Sequence, residues 1–448
     1  MQLSGFLLPI PTSEKKLKNR KKVKKLTRYA PYVSLAIMLV WHTVLYAQPQ
    51  RFPRPEFESG YTFPEHFFKY QRGPLWEYMD VAVLLIALLA TAWMVLKKRS
   101  RQGLLWISLF SLVYFGFYRQ GCICPVGSTQ NVSLAIFNST YSVPWSALMF
   151  FILPLVAALL FGRVFCAGVC PLGAIQELTG IRQVKIPRKV EAVLGTIPFI
   201  YLGLAVLFAA TESQFLICRY DPFVGFFRIG APSTLVIFGA LLLITGIFVN
   251  RPYCRFLCPY GVLQNIFSRF SVSHMTITPA ECRNCRLCES GCPYDAILQS
   301  DTVSNSTKDI QQSKGKNLLY LILIPVLAAG MSVITYNFSS VLAGVNDNVS
   351  LAREIRLEKE KGIKAVSKNA VAFYESGKTE EELYAEESRI IGRFKKGTPW
   401  LGLFLGLSLG IGIYRHTVRK IRVDYEPDRG RCFSCTKCMS FCPVKLNN

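Results

Sequence analysis

Apolar residues in this chain gather in long unbroken runs. They show neither the alternation of a half-buried strand nor the single stripe of a soluble amphipathic helix. A helix that spans a bilayer needs about 20 mostly apolar residues. Eight segments reach or approach that length: 29–47, 77–96, 103–118, 144–164, 190–210, 232–249, 318–337 and 399–415. The third is short. The pattern predicts an all-α polytopic membrane protein with about eight transmembrane helices.

The polar positions between the runs carry a directional signal. Residues 15–28 hold Lys15, Lys16, Lys18, Arg20, Lys21, Lys22, Lys24, Lys25 and Arg28. Lys97, Lys98, Arg99 and Arg101 follow the second run, and Arg182, Lys185, Arg188 and Lys189 follow the fourth. The alternate loops are nearly neutral. Segment 119–143 has only Arg119, and 211–231 balances Arg219 and Arg228 against Glu212 and Asp221. Basic loops stay on the cytoplasmic side, so both termini are expected in the cytoplasm of a bacterial inner-membrane protein. The basic run before an apolar stretch ending Leu45-Tyr46-Ala47 also has the outline of a signal peptide. The length of both parts favours a retained span.

These signals divide the chain. Residues 1–28 form a basic cytoplasmic segment, and 29–270 a membrane domain with six spans. Segment 271–316 lies in the cytoplasm, 317–337 is a span, 338–398 an external helical insert, 399–415 a span, and 416–448 a second cytoplasmic segment. In the insert, Ser376-Gly377 breaks the helical pattern, and Thr379 to Glu382 reads as a capping box that restarts it. The insert is either a spacer between spans or a docking surface for a partner.

Composition narrows the class. Of 448 residues, 51% are hydrophobic, which excludes a disordered chain. The net charge of +24 suggests a nucleic-acid binder until its placement is read. It marks one side of the membrane and favours an anionic lipid surface, so no nucleic-acid partner is expected. Fifteen cysteines are too many for an ordinary cytosolic core, and an odd number cannot all pair as disulfides.

Eight of them form two runs of one spacing. Cys282, Cys285, Cys288 and Cys292 precede Pro293, and Cys432, Cys435, Cys438 and Cys442 precede Pro443. C-x2-C-x2-C-x3-C-P is the bacterial ferredoxin pattern for 4Fe-4S clusters. Thiolates three residues apart converge on one cubane while the amides of the turn point at its sulfurs. A zinc ribbon would use paired C-x2-C knuckles instead. In two-cluster ferredoxins the fourth cysteine serves the other cluster. One cluster is therefore expected on Cys282, Cys285, Cys288 and Cys442, and the other on Cys432, Cys435, Cys438 and Cys292. Two spans separate the runs, so both face the cytoplasm.

Four cysteines sit in a repeat. Arg163-Val-Phe-Cys166 leads to Cys170-Pro171 and Gln176, and Arg251-Pro-Tyr-Cys254 leads to Cys258-Pro259 and Gln264. Both copies read R-x-(F/Y)-C-x3-C-P-x-G-x-x-Q. Proline after the second cysteine suits the first position of a helix, whose free N–H groups favour an anionic group. The economical reading is one further iron–sulfur cluster on Cys166, Cys170, Cys254 and Cys258. Packing thiols or disulfides are the alternatives, the latter disfavoured in the cytoplasm.

The last three cysteines mirror this on the outer side. Arg119-Gln-Gly-Cys122-Ile-Cys124-Pro125 leads to Gly127 and Gln130, and Cys218 lies between the fifth and sixth spans. Cys122, Cys124 and Cys218 suit a cluster whose fourth ligand comes from elsewhere, such as Asp221 or a partner. An external disulfide with one spare thiol competes. Arg119, Arg163 and Arg251 are candidates to compensate cluster charge, against simple interfacial snorkelling.

The repeated R-x-(F/Y)-C-x3-C-P element, with ferredoxin runs on a multispan chain, resembles the membrane polyferredoxins of the NapH-like and NosR-like 4Fe-4S binding family. The resemblance covers about residues 100–300 and 432–443. It implies electron transfer between the quinol pool or cytoplasmic donors and reductases outside the membrane. For some members it implies a reductase role in metal-centre assembly. The external flavin domain of NosR-like proteins and its Ser/Thr flavinylation motif are not found in this sequence. The elements around Cys122 and Cys218 also depart from the simple NapH-like pattern.

A hydrocarbon core of about 30 Å is too wide for one efficient electron hop, so intermediate centres are needed. The three cysteine classes supply them in order across the membrane. An external flavoprotein or cytochrome is the expected outer partner, with a donor or acceptor in the cytoplasm. A quinol dehydrogenase is the other reading; its quinone would use His42, Glu77 or Asp80 as proton acceptor, although His42 beside Trp41 also suits a plain interfacial role. A transporter would need ionisable residues within spans, and these are nearly absent.

Overall fold

A computed structural model describes residues 74–121, 124–181, 183–228, 232–277, 285–298, 307–362, 367–417 and 425–443. The basic segment 1–28, the expected span 29–47, His42, Cys122, Arg182 and Cys282 lie outside the described residues.

The described chain is mostly helical. Helix α1 (Pro74–Trp93) continues through a π turn, Met94–Lys98, to Arg99, whose φ of 50° reverses the chain. Helix α2 (Arg101–Ser111) starts under a Ser100 side chain that accepts from the Gly103 N–H, and runs on as a π segment, Leu112–Tyr118. The expected span 103–118 is therefore one helical rod with two pitches. Segment 119–143, read as a loop around a motif, contains α3 (Pro125–Phe137). Its polar residues Gln130, Asn131 and Ser133 are buried, which hides it from a hydropathy pattern.

Helix α4 (Trp145–Phe161) crosses against α3. It is followed by a π turn, Phe165–Val169, and α5 (Pro171–Thr179). Next come α6 (Arg188–Leu194), α7 (Ile197–Ala210), α8 (Leu216–Tyr220), α9 (Pro222–Arg228) and α10 (Ser233–Phe248). The short α11 (Pro252–Phe256) and α12 (Pro259–Arg269) complete the repeat region.

The ferredoxin runs supply α13 (Leu287–Ser290) with β1 (Ile297–Leu298), and later β2 (Glu426–Pro427) with α19 (Lys437–Ser440). Between them lie α14 (Thr307–Asn337), α15 (Ser339–Ala343), α16 (Asp347–Lys361), α17 (Lys368–Glu375) and α18 (Glu380–Thr417). Strands β1 and β2 pair antiparallel, Ile297 opposite Pro427. The two runs, more than 130 residues apart in sequence, thus fold into one module.

Among the described residues, three helical stretches are long and apolar enough to cross a membrane: Leu75–Lys98, Val190–Ala210 and Glu380–Tyr414. Trp145–Phe161, Ser233–Phe248 and Ile322–Asn337 are shorter apolar helices. Leu85, Ile86 and Leu89 on α1, and Ile237, Leu241 and Ile244 on α10, are exposed. Such apolar faces have a home in lipid.

The region of the expected insert is helical. Helices α16 and α17 pack on the first part of α18 through Leu351, Ile355, Phe373 and Leu383. Gly377, at φ 70°, makes the expected break. Helix α18 passes through Pro399 without interruption. The carbonyls beside the proline are met from α14: Thr335 donates to Thr398 O at 2.8 Å and Ser332 to Pro399 O at 3.0 Å. Beyond the proline, Gly402, Gly406 and Gly410 let α18 lie directly on the α14 backbone. A Cβ added at Gly406 would stand 2.5 Å from the Ala328 Cα. Small residues four apart are the usual device for such close helix contact in membranes.

Loops meet in two groups. In one, Asn138 donates to Glu212 at 2.8 Å, Arg393 pairs with Glu212 at 2.7 Å, and Gln214 donates to Val345 O at 3.3 Å. In the other, Arg99 donates to Thr276, Arg101 to Cys435 O, Lys185 to Glu289 O and Arg163 to Gly430 O. The strongly basic loops belong to this second group, with the ferredoxin module.

Candidate functional site

In the ferredoxin module the thiols converge through local backbone geometry. Arg286 (φ 58°) follows Cys285, and Thr436 (φ 60°) follows Cys435. This left-handed residue turns each run so that its next helix, α13 or α19, presents a further cysteine. Ser434, at φ 54°, directs its N–H to Cys432 Sγ at 3.4 Å. Cys292, Cys432, Cys435 and Cys438 line one cavity, together with Tyr294 and Phe433. Cys292 of the first run thus stands beside the first three cysteines of the second. Of the other expected set, Cys285, Cys288 and Cys442 are described, and α13 touches α19. Burial pushes the Cys432 thiol up to about 12, and the Ser434 amide pulls the other way. Such a thiol ionises only against the charge of a metal.

The repeat cysteines are gathered by tertiary structure. Cys170 and Cys258 are the residues that precede α5 and α12, each with proline at the first helical position. Cys166, Cys170, Cys254 and Cys258 are all buried, and Cys170 lies within electrostatic reach of the other three. The two copies hold each other crosswise. Gln176 of the first accepts from the Tyr253 N–H at 2.9 Å and donates to Cys254 Sγ at 3.4 Å. A Cβ added at Gly173 would meet Cys166 O at 3.1 Å and Arg251 Nη1 at 3.3 Å. One added at Gly261 would meet Cys254 O at 3.3 Å and Arg163 Nη2 at 3.7 Å. Each glycine is thus the floor under the other copy's arginine.

The arginines divide in role. Arg163 reaches Cys166 Sγ at 3.9 Å and covers the Phe433 ring at 3.9 Å. Arg251 is fully buried and donates to the carbonyls of Cys166 and Ala167. Both thus stand between the repeat and the ferredoxin module. Arg119 instead pairs with Asp80 at 2.7 Å, and Tyr114 donates to the same carboxylate at 2.8 Å. Glu77 and Asp80 were the quinone-side acceptors suggested by the sequence. Asp80 is 1% exposed and occupied by these two partners, and Glu77 sits in the first turn of α1.

Sequence reasoning missed Glu177. It accepts from Arg251 at 2.9 Å and Lys437 at 2.7 Å, and pairs with Arg101. Its partners come from the second repeat, the C-terminal ferredoxin run and the start of α2. Burial would raise its carboxyl, but these three cations outweigh that and hold it at about 2. The signal available was an acidic residue directly after Gln176, where the second copy has Asn265.

Tyr253 fills the F/Y place of the repeat and Tyr294 follows Cys292-Pro293, but the sequence alone did not single out either as a functional residue. Tyr294 stacks on Phe433 at 4.5 Å and lies in the fields of both Cys435 and Cys254. Tyr253 donates to Asp221 at 3.2 Å and lies in the fields of Cys258 and Cys124. On the other side of Tyr253, Cys124 is within electrostatic reach of Asp221 and Cys218. Cysteines of all three classes, with Cys124 for the third, border one continuous core.

Iron–sulfur clusters fit these donors. Among the described residues no three ligand side chains close around a single ion. A cubane spreads its thiolates more widely than a lone metal does. Tyr294 Oη, Arg163 Nε and Gln130 Nε2 are buried donors with no hydrogen-bond partner among the described residues, and cluster sulfides are natural acceptors for such groups.

Comparison with known proteins agrees. The 4Fe-4S binding domain family matches residues 143–189 and 231–278, the two repeat copies. Protein NirI of Paracoccus denitrificans is 32% identical over 166 residues, covering 34% of this chain and 24% of that protein. Regulatory protein NosR of Pseudomonas aeruginosa is 31% identical over 220 residues, 45% of this chain and 30% of NosR. Ferredoxin-type protein NapH of Haemophilus influenzae is 29% identical over 164 residues, 33% of this chain and 54% of NapH. The chain spans between about a quarter and about half of the length of these relatives. No solved structure matches it. The chain thus carries a duplicated 4Fe-4S binding domain and is similar, over part of its length, to the NirI, NosR and NapH proteins.

Proposed function

We propose that this protein carries electrons across a bacterial inner membrane through a chain of iron–sulfur clusters. About eight spans would place the basic loops and ferredoxin module in the cytoplasm, and Cys124, Cys218 and the insert on the outer side. Two clusters occupy the ferredoxin cysteines in the exchanged arrangement, and a third occupies Cys166, Cys170, Cys254 and Cys258. The observation that carries this reading is the unbroken order of ligand sets. Arg251 and Tyr294 lie in the fields of both Cys435 and Cys254, and Cys124 lies in the fields of Cys170 and Cys258.

In this scheme the clusters supply the redox chemistry, and the protein keeps them close, dry and hydrogen-bonded. Arg163 and Arg251 offset anionic cluster charge, and Gln176 tunes Cys254 through its amide hydrogen bond. The outer acceptor is a redox protein docked near the insert, and the cytoplasmic partner is a soluble carrier or the quinol pool.

The test is full-length protein, purified without oxygen and reconstituted into sealed vesicles with ferricyanide trapped inside. Iron and sulfide counts with electron paramagnetic resonance establish the cluster content. External dithionite should then reduce the trapped ferricyanide only when protein is present. Protein with its full iron content but no transmembrane reduction would overturn the proposal.

A further inference from the structure

We propose that Cys124 and Cys218 hold an iron–sulfur cluster in which Asp221 fills the place taken by Cys258 in the inner site. The inference deepens the electron-transfer reading above by naming the exit centre and its one oxygen ligand.

The argument is a correspondence between two parts of the chain. In the inner site, Cys254-Arg255-Phe256-Leu257-Cys258-Pro259 ends in a cysteine that precedes α12. In the outer loop, Cys218-Arg219-Tyr220-Asp221-Pro222 ends in an aspartate that precedes α9. Each cysteine is followed by arginine and then an aromatic residue. The residue before each proline is a thiol in one case and a carboxylate in the other.

The same glutamine contact ties both segments to their partners. Gln176 accepts from the N–H of Tyr253, the residue before Cys254. Gln130 accepts from the N–H of Ile217, the residue before Cys218, at 2.9 Å, and from Cys218 itself at 3.4 Å. Gln130 and Gln176 occupy the same position of the C-P-x-G-x-x-Q frame. Cys218 is therefore set against Cys124 as Cys254 is set against Cys170. Its sulfur lies 3.3 Å from where a Gly127 Cβ would be, at the start of α3, where Cys124 is the preceding residue.

A second observation points to a ligand there. Gln176 donates its amide nitrogen to the Cys254 sulfur, whereas Gln130 Nε2 is fully buried and has no partner among the described residues. A cluster between Cys124, Cys218 and Asp221 provides the acceptor. Asp221 is 3% exposed. Its Oδ1 accepts from the Phe223 N–H at 2.9 Å, as an ordinary helix cap does, and its Oδ2 from Tyr253 at 3.2 Å. A carboxylate keeps further lone pairs after two such bonds, so capping and iron ligation are compatible. Cys218 is exposed, which leaves one edge of the site open to an external partner.

An oxygen ligand holds iron less firmly than a thiolate in a sulfur-rich site. Ferricyanide should therefore take one electron from the outer cluster while one Fe2+ leaves, giving a three-iron centre with its own paramagnetic signal. In anaerobically purified full-length protein, the Cys124→Ser/Cys218→Ser double variant should lose one cluster of iron with the ferredoxin signals unchanged. Asp221→Asn keeps the cap and should lower iron by about one per chain. Asp221→Cys should keep all the iron and abolish the ferricyanide-induced three-iron signal.

Unchanged iron and spectra in the double variant would overturn the outer cluster. A wild-type spectrum and iron count in Asp221→Asn would reduce Asp221 to a helix cap. The transmembrane reading is tested separately. If the double variant loses no iron while trapped ferricyanide is still reduced, this inference falls and electron transfer stands. If the wild type holds the outer cluster yet passes no electrons, the reverse is true.

Discussion

The ferredoxin module and the membrane repeat gather thiols in opposite ways. In the second ferredoxin run, Cys432, Cys435 and Cys438 sit on one short stretch turned by the left-handed Thr436, and Cys292 of the first run shares their cavity. In the repeat, each copy supplies one cysteine just before a helix, Cys170 or Cys258, and one in the short turn ahead of it, Cys166 or Cys254, and Gln176, Arg163 and Arg251 cross from one copy to the other. The first arrangement is local and recoverable by a loop. The second belongs to the scaffold. Damage to the scaffold should therefore separate the two.

The sharpest test is Glu177→Gln. This carboxylate joins both halves, and its loss leaves Arg251, fully buried, without its counter-charge. Removing one partner of a buried pair costs about 3–5 kcal/mol. Thermal unfolding in detergent micelles should show that loss, with the C-terminal run released from the repeat. The pH dependence has a definite sign. Glu177 is held at about 2 in the fold against an ordinary 4.5. Its stabilisation is complete above the ordinary value and fades as pH falls from 4.5 toward 2. The variant should lack that part of the acid sensitivity. An unchanged melting temperature would mean that the two regions are not coupled through this residue.

Gly406→Leu attacks the comparison from the other end. The added side chain drives α18 away from the Ala328 backbone of α14. Overpacking of this kind costs about 1–3 kcal/mol. The α14–α18 pair spans the interval between the two ferredoxin runs. The exchanged clusters should weaken, while the repeat, which owes nothing to α18 for its ligands, keeps its iron. Equal loss from both regions, read by iron count and paramagnetic spectra, would show that the repeat too depends on the C-terminal helices.

What the sequence made legible follows the same division. The ferredoxin runs were readable as a pattern, because a cubane imposes a fixed local spacing that chance does not produce twice. The repeat was readable as a pattern, and the proline at each helix start was expected. Its cross-links were not, since Gln176, Glu177 and Tyr253 find their partners 74 or more residues away or through burial that no local pattern encodes. Hydropathy located the apolar helices but missed α3, whose buried face is polar. It gives no sign that α18 continues through Pro399, where a proline would normally end a helix. Here two hydroxyls from α14 meet the carbonyls beside it. The arginines illustrate the limit well: three identical motif positions gave Arg163 and Arg251 a place beside thiols, and Arg119 an aspartate.

The smallest effect is also the most specific to electron flow. Phe433 lies between Arg163 and Tyr294, at 3.9 Å and 4.5 Å, beside Cys432. Phe433→Leu keeps an apolar filler but removes both ring contacts, at a cost of about 1 kcal/mol. Cluster content should be unchanged, because no ligand is touched. If the ferredoxin module delivers electrons to the repeat across this contact, loosening it lengthens the gap between Cys435 and Cys254. Stopped-flow reduction from the ferredoxin side should then show the ferredoxin clusters reduced at the normal rate and the repeat cluster more slowly. Equal slowing of both would place the defect in the ferredoxin module. Normal rates throughout would mean that electrons enter the repeat by another route, and that Phe433 serves only to dock two regions that gather their thiols independently.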